Sequence, residues 1–277
     1  MMDRDKKVIE DFGEEWRRFS QVNEITADES DYIFNGYFKI FPKDFFKDET
    51  KIGFDMGCGS GRWAKYIAPK VSVLHCVDPS LAALEVAKKN LSENKSCNFI
   101  CSKAEEFDLQ DQSMDFGYSL GVLHHVSNTE QSLVNCVAKL KKGAPFLLYL
   151  YYKLDNRSWI YKLIWRFSNI FRLIICRMPF SLKKIVTDFI AVIIYYPMSK
   201  LALFVNKLGL NDSFLPLSFY KFSSFYTMRT DSLDRFGTSL EKRYTKNTML
   251  ELMIDSGLEN ITFSETEPFW VAVGYKK

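Results

Sequence analysis

Three glycines at alternate positions, Gly57, Gly59 and Gly61, follow a carboxylate, Asp55, at the end of an apolar run. Such a turn lets backbone approach a ligand closely, and a helix opening behind it offers free N–H groups and a positive dipole end. Asp78 stands nineteen residues beyond Gly59, at the end of the next apolar run. A carboxylate there can accept hydrogen bonds from both hydroxyls of a ribose. With Asp55 aimed into the same crevice, a nucleoside that carries positive charge suits the site. Glu105 follows the third apolar run, where its carboxylate or the N–H of Ala104 could read a base edge. Further on, His124 and His125 are adjacent. Imidazole, with an ordinary pKa of about 6.5, is well matched to taking a proton from a substrate near neutrality.

Gly59-Ser60-Gly61-Arg62-Trp63-Ala64 also fits the G-x-G-x-x-A form of a dinucleotide site, and a plain tight turn would look similar. Against a nicotinamide dinucleotide, Asp55 would crowd the pyrophosphate with like charge.

These residues require strands that end at one edge of a sheet. The chain supplies them as a strand–helix alternation, with strands expected at 51–56, 71–77, 98–102, 115–120 and 146–152. Helices are expected at 62–68, at 81–91 capped by Ser80, and at 129–141 closed by Gly143. Alternation of this kind builds a parallel sheet with right-handed crossovers. A helix at 245–255, capped by Thr245 and closed on Gly257, precedes strands at 261–265 and 270–275. So short a link makes that last pair an antiparallel hairpin. At the other end, a helix over 4–19 sets Val8, Phe12, Trp16 and Phe19 on one face, and a run of Tyr and Phe follows to Phe46. This arm either packs on the sheet or caps the crevice, with Trp16 or Phe19 over the ligand.

Composition narrows the class. The 277 residues are 47% hydrophobic and 16% aromatic with a net charge of +3, enough for a large core and no argument for a polyanionic partner such as nucleic acid. The six cysteines form no zinc or disulfide pattern, so no metal is expected. An N-terminal apolar leader is not apparent, which points to a reducing, cytoplasmic location.

Between the two βα stretches the rhythm stops for about ninety residues. Lys153, Arg157, Lys162, Arg166, Arg172, Arg177, Lys183, Lys184, Lys200 and Lys207 face only two acids, Asp155 and Asp188, over residues 151–207. Trp, Ile, Leu and Phe lie between the charges. The pattern reads as a helical lid that packs on itself or rests on an anionic membrane surface, peripheral on its inner face. The most apolar run, 189–198, contains Pro197 and is too short to span a bilayer, which takes ~20 residues. Tyr226, Arg229 and Asp231, among aromatics further along, are candidates to line an acceptor pocket.

The ordered set Asp55-Met56-Gly57-Cys58-Gly59-Ser60-Gly61, Asp78, Ala104-Glu105-Glu106-Phe107 and Gly121-Val122-Leu123-His124-His125 resembles class I S-adenosylmethionine-dependent methyltransferases. The resemblance covers about residues 50–152 and 245–277. It implies an α/β, Rossmann-like seven-stranded sheet (51–152 and 244–277); the N-terminal helical cap (1–50) and the helical lid inserted after strand five (153–243) are read from the residues and lie outside the resemblance. It further implies S-adenosylmethionine over the strand ends. Asp55, Gly57, Cys58, Gly59 and Gly61 would hold the methionine end, Asp78 and Pro79 the ribose, and Ala104, Glu105 and Leu120 the rest of the nucleoside. Many members carry Asp just before the Ala-Glu pair; this chain has Lys103, and Glu105 is the substitute. The Leu-His-His triplet is similar to that of sugar O-methyltransferases in the family, where the histidines serve the acceptor hydroxyl and a carboxylate after strand five assists. Asp155 matches that carboxylate. The expected activity is O-methylation of a hydroxyl on a sugar, glycan or lipid-linked acceptor. The alternatives are C- or N-methylation of a quinone or aromatic metabolite, and a non-catalytic methyltransferase-like binding module.

Overall fold

The structure is a computed structural model that describes residues 4–19, 25–212 and 214–277. In chain order it runs α1 (Arg4–Arg18), α2 (Ala27–Phe38), β1 (Ile52–Met56), α3 (Ala64–Ile67), β2 (Val73–Asp78), α4 (Leu81–Asn90), β3 (Cys97–Cys101), β4 (Phe116–Leu120), α5 (Thr129–Lys139) and β5 (Pro145–Tyr149). There follow α6 (Trp159–Ile175), α7 (Phe180–Ile190), α8 (Tyr196–Lys207), α9 (Phe225–Gly237), α10 (Lys246–Asp255), β6 (Leu258–Phe263) and β7 (Val271–Lys276). Two compact units divide the described residues. The first lies within Met1–Gln21, Ile33–Lys153 and Leu240–Lys277; the second lies within Val22–Tyr32 and Leu154–Ser239.

The first unit is a seven-stranded sheet in the order β3-β2-β1-β4-β5-β7-β6. The βα repeats make β1 to β5 parallel, and the short β6–β7 link makes β7 antiparallel to both its neighbours. The expected α/β sheet and terminal hairpin are therefore present. Strand order reverses between β1 and β4, which opens a crevice beyond the strands' carboxyl ends. Asp55 is in register with Cys76 on one side and Tyr118 on the other, so the ends of β1, β2 and β4 share that edge.

Parallel strands are covered on both faces and hence apolar throughout, as the fully buried Phe54, Leu74, Phe116, Phe146 and Leu147 show. The aromatic run after α2 packs on one face: Phe45 and Phe46 meet the Phe116 ring edge-on at 5.6 and 5.2 Å. Three boundaries differ from expectation. The helix behind the glycines is a single α turn, α3, continued by a tighter 3₁₀ turn, Ala68–Lys70, because Pro69 has no N–H to extend it. Strand β5 ends at Tyr149, and β6 begins directly after Gly257. Thr245 does cap α10, in a reciprocal box with Thr248.

In the second unit α9 packs against both α6 and α7. Ile175, Tyr195, Met228 and Phe236 form its small apolar centre. Glu29 accepts from the Ser224 N–H at 2.9 Å and from the Thr227 hydroxyl at 2.7 Å, placing an anion at the start of α9. The apolar run around Pro197 is not a short segment. A five-residue π turn, Ala191–Tyr195, joins α7 to α8 in one 28-residue helix, Phe180–Lys207. Pro197 falls in the first turn of α8, where its missing N–H does not break the helix. By length and composition this helix could cross a membrane, which the shorter reading had excluded.

Candidate active site

The glycine turn is built as its residue types require. Gly57 has φ +81°, and a Cβ there would come within 2.4 Å of the Val122 side chain. Only glycine lets the loop after β4 settle on the loop after β1. The Gly57 and Cys58 N–H groups donate to Val77 O at 2.7 and 3.1 Å, which ties the turn to the end of β2. Asp78, also buried, accepts from the N–H of Gly59 and of Ser80, each at 2.9 Å. Each carboxylate oxygen keeps a second lone pair for a ribose hydroxyl.

The two acids are held away from their ordinary state. Burial pushes the Asp55 carboxyl up to about 8; the Tyr118 hydroxyl opposes this in part, and the Asp78 charge adds to it. Burial likewise raises Asp78 to about 6, against the hydrogen bonds from Ser80 and Gly59. Oδ2 of Asp55 and Oγ of Ser60 are buried with no hydrogen-bond partner among the described residues. A buried carboxyl left in that condition fits a cationic, hydrogen-bonding ligand such as the sulfonium nucleoside the sequence resemblance implies.

Helix α1 lies along the same edge. A Cβ on Gly13 would meet Ser80 Oγ at 2.7 Å, one on Gly59 would meet the Trp16 indole at 2.8 Å, and the Phe12 ring is 5.1 Å from that of His125. Trp16 therefore covers the glycine turn, while Phe19 is buried in the core.

The strand-four loop carries the histidines on a single turn, Leu123–His125. His124 is completely buried, stacked on Tyr151 at 3.9 Å, with neither ring nitrogen hydrogen-bonded among the described residues. Burial first, then His125 and Arg243, hold its pKa well below the usual value, so its ring is neutral. The His125 Nδ1 lies 2.7 Å from Leu240 O. A carbonyl only accepts, so Nδ1 carries the proton and Nε2 is left as the basic nitrogen. Segment 240–244 braces the loop: Lys242 N donates to His124 O at 3.0 Å, its Nζ reaches Ser127 O at 2.7 Å, and Tyr244 N donates to Tyr151 O at 2.9 Å.

The structure thus gathers Asp55, Gly57, Cys58, Gly59, Gly61, Asp78, Pro79, Leu120, His124 and His125 at one end of the sheet. Ala104 is buried after β3 and its carbonyl accepts from Asn135 at 2.9 Å; Glu105 is half-buried beside it. Asp155, Tyr226, Arg229 and Asp231 belong to the second unit. There Arg229 grips Asp188 with two bonds of 3.0 and 3.1 Å, Asp231 accepts from the Tyr220 hydroxyl at 2.9 Å, and Tyr226 is buried. Tyr151, Leu240 and Lys242 were not expected at the site. Leu240 takes part through its carbonyl alone, which leaves no side-chain pattern to find, while Lys242 adds its Nζ to its main-chain bond.

Residues 54–148 match the family model described as a methyltransferase domain. Two ubiquinone biosynthesis O-methyltransferases are similar: that of Coxiella burnetii is 27% identical over 105 residues, and that of Saccharophagus degradans 33% over 106. Each alignment covers 38% of this chain and 43% of the relative, so the chain spans less than half the length of the curated relatives it matches. A crystal structure of an S-adenosylmethionine-dependent methyltransferase from Thermotoga maritima superposes with a TM-score of 0.51 at 16% identity, over 98% of this chain and 99% of that one. At that identity the likeness is one of fold.

Proposed function

We propose that this chain, whose core is a class I S-adenosylmethionine-dependent methyltransferase domain, transfers a methyl group to a hydroxyl on a sugar, glycan or lipid-linked acceptor, working at an anionic membrane surface. The observation that carries the hydroxyl acceptor is the His125 ring. Its Nδ1–H is engaged by Leu240 O, and its loop rests on the glycine turn through Val122.

S-adenosylmethionine, when bound, supplies an electrophilic methyl on a sulfonium. Asp55 and the turn from Gly57 to Gly61 would hold its charged amino-acid end. Asp78 would accept from the ribose hydroxyls, with Ala104 and Glu105 at the base. Phe12 and Trp16 exclude water from above. His125 Nε2 would take the acceptor hydroxyl's proton as that oxygen bonds to the methyl carbon in line with the departing sulfur. His124, neutral and stacked on Tyr151, positions its neighbour.

The likeness to ubiquinone biosynthesis O-methyltransferases supports a second acceptor, a quinone-type or aromatic metabolite, methylated on oxygen or on carbon or nitrogen. The two readings separate on incubation with methyl-labelled S-adenosylmethionine and two acceptor sets, lipid-linked sugars and prenylated phenols. Label on a sugar hydroxyl, lost in His125→Ala, is expected. Label confined to the phenols favours the second reading. Tight cofactor binding with no label in either set would leave a non-catalytic module.

A further inference from the structure

Two helices of the second unit, α6 and Phe180–Lys207, leave large apolar side chains exposed outside its small apolar centre. On α6 the side facing its neighbours carries Tyr161, Trp165, Ser168, Asn169 and Arg172, and Arg172 donates to Asn169 Oδ1 and Thr238 O at 2.7 and 3.0 Å. The opposite half carries Trp159, Leu163, Phe167, Ile170, Phe171 and Ile174, all between 48% and 73% exposed. The long helix Phe180–Lys207 repeats the arrangement. Lys183, Thr187 and Ser199 are buried, and Asp188 is paired with Arg229. Ile185, Phe189, Ile193, Leu201 and Phe204 are exposed. A helix in water turns its apolar stripe inward, and continuous exposed apolar faces of this extent mark a binding surface.

We infer that the second unit docks on an anionic bilayer as an in-plane element, with the outer faces of α6 and of Phe180–Lys207 in the boundary between headgroups and acyl chains. It takes from the proposed function only its membrane partner and stands apart from methyl transfer. Charge selects the occupant. At 100° per residue, Lys162 and Arg166 fall along one edge of the α6 apolar arc. Arg166, Arg177, Lys184, Lys200 and Lys207 are exposed. Asp188, one of the only two acids in 151–207, is already paired with Arg229. Cations rimming an apolar half-cylinder fit anionic headgroups over an apolar layer. A second copy would bring the same cations face to face across a two-fold axis.

The 28-residue helix lies flat rather than crossing. At 1.5 Å per residue its length of roughly 42 Å would suffice to span. Its inner side, however, packs on α9, with Arg229, Asp231, Asp234 and Arg235. Crossing would carry those charges into hydrocarbon.

The full chain is sedimented with vesicles of phosphatidylcholine alone and with about one-third phosphatidylglycerol, in ~0.1 M and ~0.5 M NaCl, with S-adenosylhomocysteine binding measured in parallel. Expected is binding to the anionic vesicles, at least about tenfold weaker on neutral ones and in the higher salt. Phe167→Ser with Ile170→Ser, and Arg166→Glu with Lys184→Glu, should each weaken it about tenfold with cofactor-product binding intact. Alkaline carbonate should release the bound protein. Failure to bind vesicles by protein that still binds S-adenosylhomocysteine overturns the inference and leaves methyl transfer standing. Carbonate-resistant binding overturns the in-plane arrangement in favour of a span. A dimer dissolved by the Phe167→Ser, Ile170→Ser pair, without vesicle binding, would assign the face to a second copy. Vesicle binding without cofactor-product binding supports the inference and counts against the methyltransferase reading instead.

Discussion

Raising the pH from 6 to 7 should tighten S-adenosylhomocysteine binding, and Asp55 sets how much. Burial holds its carboxyl at about 8, so the empty site is largely neutral at this position. The ligand's ammonium requires the charged form. About one molecule in a hundred carries ionised Asp55 at pH 6 and about one in eleven at pH 7, so affinity should rise roughly ninefold. Asp78, raised to about 6, adds less than about twofold over the same interval. Both pH values lie below the range, near 7.7–8.0, in which a free α-amino group loses its own proton. Calorimetric titration at pH 7, repeated in buffers of different ionisation enthalpy, should show close to one proton released per ligand bound. Asp55→Asn should abolish the release and leave a shallow slope. A wild-type affinity that is flat between pH 6 and 7, or binding without proton release, would refute the argument that a buried neutral carboxyl waits for a cation.

The same shift has a stability sign. A carboxyl whose folded pKa lies above its unfolded one stabilises the protein fully below about 4 and loses that contribution as pH rises through its folded value. The melting temperature of the ligand-free protein should therefore fall from pH 5 toward pH 8, less steeply in Asp55→Asn. His125→Ala should lower turnover roughly 100-fold or more while S-adenosylhomocysteine affinity stays within about twofold, which separates proton transfer from cofactor binding. Gly57→Ala should cost about 1–3 kcal/mol in denaturant unfolding, because its φ is left-handed and its Cβ would strike Val122; adding Val122→Ala should restore only the steric part. Arg229→Ala should destabilise by about 1–3 kcal/mol through loss of its two bonds to Asp188. A rise in acceptor KM with unchanged stability would instead give Arg229 a substrate role.

The crevice at the strand ends was largely legible in the chain because its parts follow local rules. Gly57, Gly59 and Gly61 are types that a tight turn at positive φ selects, and Asp55 and Asp78 close strands that alternate with helices at regular spacing. The Ser80 and Thr245 caps are local in the same way. The second unit was legible as a helical insertion with a basic apolar pattern, but not in how its helices pack. Residues 189–198, ten residues with Pro197 among them, looked too short to span a bilayer, and only the fold shows Pro197 seated in the first turn of a helix that runs on through a π turn. That Arg229 is bonded to Asp188 and Asp231 to Tyr220 could be recognised only once the helices are packed.

The sequence by itself determined the sheet, its reversed last strand and which residue types stand at the strand ends, because hydrophobic period and turn chemistry act within a few residues. Only the tertiary structure decided which nitrogen of His125 faces a carbonyl, that burial raises the Asp55 pKa, and which side of α6 is left bare. Each of those depends on what long-range packing sets beside the residue: the Leu240 carbonyl 115 residues from His125, the depth of burial of Asp55, and the helix faces that α9 covers.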